Sequence, residues 1–289
     1  MKIGLQVPSF SWPGGPEQIG PRLAEVTSLA DSLGFASIWV MDHFFQIRSV
    51  GQPEEPMLES YSTLNFIAAH THRAKLGTLV TGVIYRNPGL LVKAVTTLDV
   101  LSGGRAYLGI GAAWNEMEAR GLGFGFPPLK ERFEQLEDAL KVARVMWAGD
   151  ESPFDGKHIH MDRPLNRPQV ISKPHPPILI GGGGEKKTLR LVAQYADACN
   201  LFAALGTEEI ARKLDVLKRY CDESGRDDRE IEKTALGTYR GEPVKEFIET
   251  CRNLNEVGIQ HLILNMPGAT DPKVVEVLGK EIIPVVAGF

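Results

Sequence analysis

Asp42 and His43 stand side by side where an apolar run, Ser37-Ile38-Trp39-Val40-Met41, gives way to Phe44-Phe45. A carboxylate and an imidazole released together from a buried strand can exchange a proton with a small molecule. Neither is tolerated in apolar surroundings without a partner. Asp42 either works beside a ligand or braces its own loop, and His43 is either a reactive imidazole or a satisfied polar residue at a rim. An ordinary imidazole pKa of about 6.5 suits proton transfer in either direction near neutrality.

Three more places carry chemistry. Gly181, Gly182, Gly183 and Gly184 follow an apolar strand and precede a helical pattern that starts near Glu185. Successive backbone N–H groups at a helix N-terminus cradle phosphate, with Lys186, Lys187 and Arg190 offsetting Glu185; a flexible loop is the plainer alternative. Gly109-Ile110-Gly111 leads to Asn115, whose amide can meet a ligand carbonyl or N–H, and the two glycines permit close backbone approach. The fragment lacks the third glycine and the helix start of a dinucleotide fingerprint. The run Leu76-Gly77-Thr78-Leu79-Val80-Thr81-Gly82-Val83 holds two glycines, the mark of a bulge, of ligand approach or of a kinked core strand. His70 and His72 sit at a helix end, and His158 and His160 lack a metal-ligand spacing. No nucleophile elbow, Walker loop or paired zinc ligands occur.

These residues need a scaffold that gathers strand ends. Short apolar, β-branched runs at 3–7, 37–41, 75–83, 105–110, 178–181, 198–201, 234–239 and 261–265 predict strands. The 3.6-residue pattern predicts helices at 16–33, 60–72, 88–101, 130–147, 185–195, 207–224, 243–257 and 271–286. Eight alternations fit an α/β (β/α)8 TIM barrel over residues 1–289 as one domain, although an open doubly wound sheet accommodates similar units. Residues 114–129 and 149–177 are longer than ordinary connections and predict loop insertions at the carboxyl-terminal rim, with a small hairpin at 154–160.

Bulk properties narrow the function. Hydrophobic residues at 43% and charged residues at 24% describe a soluble globular protein, and a net charge of −4 argues against a nucleic-acid surface. No apolar run reaches the ~20 residues of a membrane helix, and residues 2–7 read as a strand rather than a leader. Three cysteines without metal spacing suit a reducing cytoplasm.

Taken together, Asp42-His43-Phe44, Leu76-Gly77-Thr78 through Thr81, Arg86-Asn87-Pro88, Leu98-Asp99-Val100-Leu101-Ser102-Gly103-Gly104-Arg105, Gly109-Ile110-Gly111 with Asn115-Glu116, and Pro177-Ile178-Leu179-Ile180-Gly181-Gly182 resemble the bacterial luciferase-like oxidoreductases. The resemblance is greatest to the branch that uses the deazaflavin coenzyme F420. It implies a barrel with a flavin-like ring at the strand ends, a homodimer and a small-molecule substrate. By that likeness Asp42 and His43 lie beside the ring, with His43 handling the proton. Thr78-Leu79 forms a bulge that contains a non-proline cis peptide, Thr81 and Asn115 meet the pyrimidine edge, and Gly181 to Gly184 hold the phosphate. Ala112 departs from members that oxidise sugar phosphates, which carry glutamate there. Trp12, Phe44, Phe45, Trp114 and Phe124 offer instead a mouth for a flat or apolar substrate. The apolar second and third helices (Leu64, Phe66, Ile67; Leu90, Leu91, Val92) offer a dimer face. An FMN-dependent monooxygenase is the nearest alternative, and a non-catalytic barrel the more distant one.

Overall fold

The computed structural model describes residues 1–266 and 271–289. Strand β1 (Lys2–Val7) leads into α1 (Pro16–Ser32), and β2 (Ser37–Val40) into α2 (Ser60–Ala69). A third strand in two pieces, β3 (Lys75–Thr78) and β4 (Thr81–Gly82), leads into α3 (Pro88–Leu101). After β5 (Leu108–Gly111) come the short α4 (Glu116–Gly121) and the long α5 (Leu129–Ala148). The hairpin of β6 (Phe154–Asp155) and β7 (His160–Met161), foreseen in the 154–160 alternation, precedes β8 (Ile178–Gly181) and α6 (Thr188–Tyr195). The alternation finishes with β9 (Ala198–Phe202), α7 (Thr207–Ser224), β10 (Glu232–Thr238), α8 (Val244–Glu256) and β11 (His261–Asn265). Two short helices, α9 (Pro272–Val277) and α10 (Ile283–Val286), flank a π-helical turn at Leu278–Ile282.

All main-sheet pairs are parallel, in the order β3-β2-β1-β11-β10-β9-β8-β5-β4. A bridge between Leu76 and Ala106 joins the two ends, with Leu76 N–H donating to Arg105 O at 2.8 Å and Tyr107 N–H to Leu76 O at 2.7 Å. With β3 and β4 counted as one interrupted strand, this is the expected eight-stranded barrel.

Several expected boundaries shift, among them the strand expected at 105–110, which is Leu108–Gly111, and the helix expected at 60–72, which ends at Ala69. The run 75–83 is not continuous, because the chain bulges at Leu79-Val80 and leaves the ladder there. The Leu79–Val80 peptide is cis, one residue beyond the bond implied by the resemblance. The helix expected from residue 185 starts at Thr188, since Gly184 to Lys187 form a turn first. The helix expected at 271–286 is divided by its π turn.

The Gly103-Gly104 turn after α3 has φ values of 71° and 86°, which favour glycine. Its neighbour Arg105 is buried and donates to the carbonyls of Ala68, Thr71, Ala74 and Ser102, locking the end of α2 to the start of the fourth barrel strand. Inside the barrel, Trp39, Leu179, Ala198 and Ile263 form a core of their own, apart from the larger core between sheet and helices. Gly77 makes room for this filling, because a Cβ there would lie 2.7 Å from the Trp39 ring.

The amino-terminal end of the barrel is closed by polar groups. Trp39 Nε1 donates to Ser37 Oγ at 2.6 Å, and Ser37 Oγ meets His261 Nε2 at 2.9 Å. Glu232 lies 3.6 Å from His261 and 2.8 Å from Lys2, and it accepts from Tyr107 Oη at 3.2 Å. Of the apolar residues on α2 and α3 considered for a dimer face, Leu64, Ile67, Leu91 and Val92 are buried against the barrel; only Phe66 and Leu90 reach the surface. Among the described residues, no helix is long and apolar enough to cross a membrane, and no cluster of side chains could hold a metal ion.

Candidate active site

The polypeptide leaves β2 into Asp42 and His43, and each polar group has found the partner its burial requires. His43 Nδ1 lies 2.7 Å from Glu118 Oε2, and the Glu118 side chain is completely buried. Glu118 also accepts from the Phe44 N–H and, at 2.8 Å, from Asn115 Nδ2. Asn115 caps α4, its Oδ1 accepting from the Glu118 N–H at 3.4 Å. Since a carboxylate only accepts, His43 carries its proton on Nδ1 and presents Nε2 as the available atom. Glu118 was not singled out from the sequence. The spacing Asn115-x-x-Glu118 is that of a capping box, and in that device the carboxylate would turn back to the cap. Here it accepts from the Asn115 side chain rather than from its backbone N–H, and it also reaches the β2 loop.

Asp42 is buried and spends its carboxylate on the protein. Arg86 donates to it from Nη1 at 2.7 Å and Nη2 at 2.9 Å, Ser60 Oγ at 2.6 Å and Gly82 N–H at 3.3 Å. Arg86 reaches as well to Glu59, whose carboxylate caps α2. Burial would lower the Arg86 guanidinium pKa, but Asp42 and Glu59 outweigh it and push it above its ordinary value. The loop-bracing reading of Asp42 therefore holds, and the same residue still lines the central cavity.

Thr78 and Thr81 flank the bulge and belong to one hydroxyl chain. Thr78 Oγ1 donates to Gly109 O at 2.9 Å and lies 2.8 Å from Thr81 Oγ1, which lies 2.8 Å from Tyr61 Oη. The carbonyl can only accept, so the donors run from Tyr61 to Thr81 to Thr78 to Gly109. Thr81 has spent its proton and can offer a ligand only an acceptor. Burial, seconded by Asp42, holds the Tyr61 phenol well above its usual range. The strand glycines face this bulge. A Cβ on Gly109 would lie 1.9 Å from Thr78 O, and one on Gly181 2.9 Å from Val80.

Two cavities open at the carboxyl ends of the strands. The first, about 300 Å³, runs from Thr81 and the Leu79-Val80 bulge past Gly111 to Gly181, Gly182 and Thr188. The second, about 550 Å³, lies over β1, β10 and β11 and under α8. His43, Leu79, Trp114, Phe202 and Leu236 border both. Among the expected site residues, Asp42, His43, Leu79, Thr81, Gly181 and Gly182 line the first cavity, whereas Thr78, Asn115, Gly183 and Gly184 are not among its lining residues. The amides of Gly183 and Gly184 have no acceptor among the described residues, while Gly182 N–H donates to Asn200 O at 3.0 Å. Glu185 is neutralised by Arg212 and Lys213 of α7 rather than by the nearby Lys186, Lys187 and Arg190. Of the expected mouth aromatics only Trp114 lines a cavity. Phe44 and Phe124 stack on each other at 5.6 Å, Trp12 is buried beside Phe10, and Phe45 packs over Gly121.

The comparisons with known proteins bear on the family and the fold. The F420-dependent glucose-6-phosphate dehydrogenase of Nakamurella multipartita is 26% identical, over 95% of this chain and 95% of its own length. The enzyme of the same name from Nocardia farcinica is 37% identical over 62% of this chain, and the alignment spans about half (52%) of that relative. An F420-dependent secondary alcohol dehydrogenase, solved in complex with an F420-acetone adduct, superposes with a TM-score of 0.81 over 99% of both chains at 19% identity, which shows a shared fold. The family model described as luciferase-like monooxygenase matches residues 1–240, and with this barrel beneath it the chain belongs to that family.

Proposed function

We propose that this protein is a coenzyme F420-dependent oxidoreductase acting on a small organic molecule, with His43 as its proton-transfer group. The observation that carries the reading is the position of His43. It is oriented by a buried carboxylate and borders both cavities, so a proton can be exchanged where two ligands meet. The first cavity fits the coenzyme. Its floor at Leu79-Val80 is apolar, Thr81 offers an acceptor to a ring N–H, and the wall at Gly111, Gly181 and Gly182 carries no side chains. Thr188, at the first turn of α6, and the amides of the Gly183-Gly184 turn would hold the phosphate. A deazaflavin bound there supplies hydride transfer at its C5. Around it, the protein keeps His43 in one tautomer through Glu118, uses Asp42 to fix the β2 loop on Arg86, and lines the cavity with apolar Leu79, Phe202 and Leu236. The names of the relatives from Nakamurella and Nocardia favour the deazaflavin over FMN.

Titration of the purified protein with coenzyme F420 and with FMN, followed by the fluorescence of cavity-lining Trp114, tests the proposal. Saturable binding of F420 with weak FMN binding is the expected result. Preference for FMN would place the protein among oxygen-using enzymes, and binding of neither would make it a non-catalytic barrel. A homodimer is part of the same proposal, now resting on exposed Phe66 and Leu90; a monomeric mass in sedimentation at micromolar concentration would rule it out.

A further inference from the structure

We infer that the second cavity is the substrate compartment and that it takes an uncharged, largely apolar alcohol or ketone rather than a phosphorylated sugar. The inference rests on the deazaflavin reading above, which assigns the first cavity to the coenzyme. At about 550 Å³ the second cavity falls within the usual range for small-molecule sites, about 300–1,000 Å³, and it is the larger of the two that touch His43.

Its lining decides the chemistry of the occupant. Leu254 and Phe247 descend from α8, Leu262 and Leu264 rise from β11, and Ile47 and Val50 come from the loop after β2. No lysine or arginine lines it among the described residues, and its one carboxylate is Glu242. A phosphate dianion here would lose its hydration, gain no cation and meet a like charge, so the site rejects it. The first cavity offers no alternative seat for a sugar phosphate, because on the reading above the coenzyme occupies it and its phosphate takes the Gly183-Gly184 turn and Thr188.

Besides His43 and Glu242, the polar side chains of the second cavity are uncharged: Gln6, Ser49, Thr238, Thr250 and Asn265. Asn265, at the end of β11, leaves its Oδ1 buried without a hydrogen-bond donor among the described residues. Gln6, its register partner on β1, is already engaged, its Nε2 donating to Leu79 O at 3.4 Å. A hydroxyl on the occupant satisfies Asn265, and a carbinol or carbonyl oxygen elsewhere in the cavity meets His43. The compartment thus favours an apolar ring or chain that carries hydroxyl or ketone groups and no charge.

The test measures binding with and without coenzyme. Cyclohexanol and glucose 6-phosphate are titrated against the full-length protein by ligand-observed NMR, and coenzyme binding is followed separately by fluorescence. Saturable cyclohexanol binding with none for the sugar phosphate is expected. Leu254→Trp, which fills the cavity from α8, should weaken cyclohexanol at least about tenfold while F420 binding is retained. Asn265→Leu supplies an independent check, expected to weaken cyclohexanol roughly fivefold through the lost hydrogen bond. Thr250→Lys with Glu242→Gln at the rim should admit glucose 6-phosphate. Competition between glucose 6-phosphate and cyclohexanol in the unmodified protein, or cyclohexanol affinity unchanged in both Leu254→Trp and Asn265→Leu, overturns the inference. If cyclohexanol behaves as expected but F420 does not bind, the coenzyme assignment fails and the compartment stands.

Discussion

A buried carboxylate that touches no cavity sets the state of the imidazole that touches two. Glu118 accepts from His43, Phe44 and Asn115, so its removal should affect proton handling more than ligand binding. His43→Ala should lower kcat by about 10²–10⁴-fold, the usual contribution of a positioned acid or base, while F420 affinity is held. Unchanged turnover would remove His43 from the mechanism. Glu118→Gln keeps the shape but supplies a donor where an acceptor is required. We expect a fall in kcat of order 10²-fold or more, with KM and coenzyme affinity near their original values and partial recovery in Glu118→Asp. A parallel loss of coenzyme binding would assign Glu118 a structural role only. The Asp42-His43 pair was legible because two polar groups leaving an apolar strand demand partners. Glu118 was not, because sequence spacing cannot tell a cap that turns back from a carboxylate that reaches 75 residues away in the chain.

Among the elements, the third barrel strand governs the site by being broken. Its residues 75–83 are mostly apolar or β-branched and predict one strand, with Gly77 and Gly82 marking a bulge as one reading and the family resemblance implying one at Thr78-Leu79; in the structure the break falls at Leu79-Val80. The neighbouring strands carry glycine where they face the bulge, and the sequence displayed those glycines without showing what they accommodate. Their close approach is to Thr78 O and Val80. Gly109→Ala places a methyl 1.9 Å from Thr78 O and forces the backbone apart. Its expected cost is about 1–3 kcal/mol in urea unfolding, together with weakened F420 binding as the floor of the first cavity moves. Stability and affinity both unchanged would show that the bulge tolerates displacement.

The whole barrel divides its labour between its two ends, chemistry at the carboxyl rim and stability at the amino-terminal plug. Burial alone would raise the Glu232 carboxyl pKa, but His261 and Lys2 outweigh it and hold it at about 2, against 4.5 for the free side chain. The folded value lies below the unfolded one, so the plug stabilises fully above about pH 4.5 and loses this contribution as pH falls toward 2. Glu232→Gln should therefore be less stable than the parent at neutral pH, with the difference closing through that window in chemical unfolding. A constant difference across the window would remove Glu232 from acid unfolding. The alternation that builds this barrel was readable from end to end, because eight apolar strand runs each stand before an amphipathic helix. The polar plug was not, since Ser37, Glu232 and His261 meet only once the ring is closed.

The partition between the two cavities also governs how their occupants communicate. His43, Leu79, Trp114, Phe202 and Leu236 belong to both walls, so a molecule seated on one side fixes side chains that the other side must use. Thermodynamic linkage makes that influence mutual: whatever factor the first ligand contributes to the affinity of the second, the second returns to the first. On the proposed occupancy, exchanging any one of these five side chains is expected to shift both dissociation constants, measured in binary and ternary titrations.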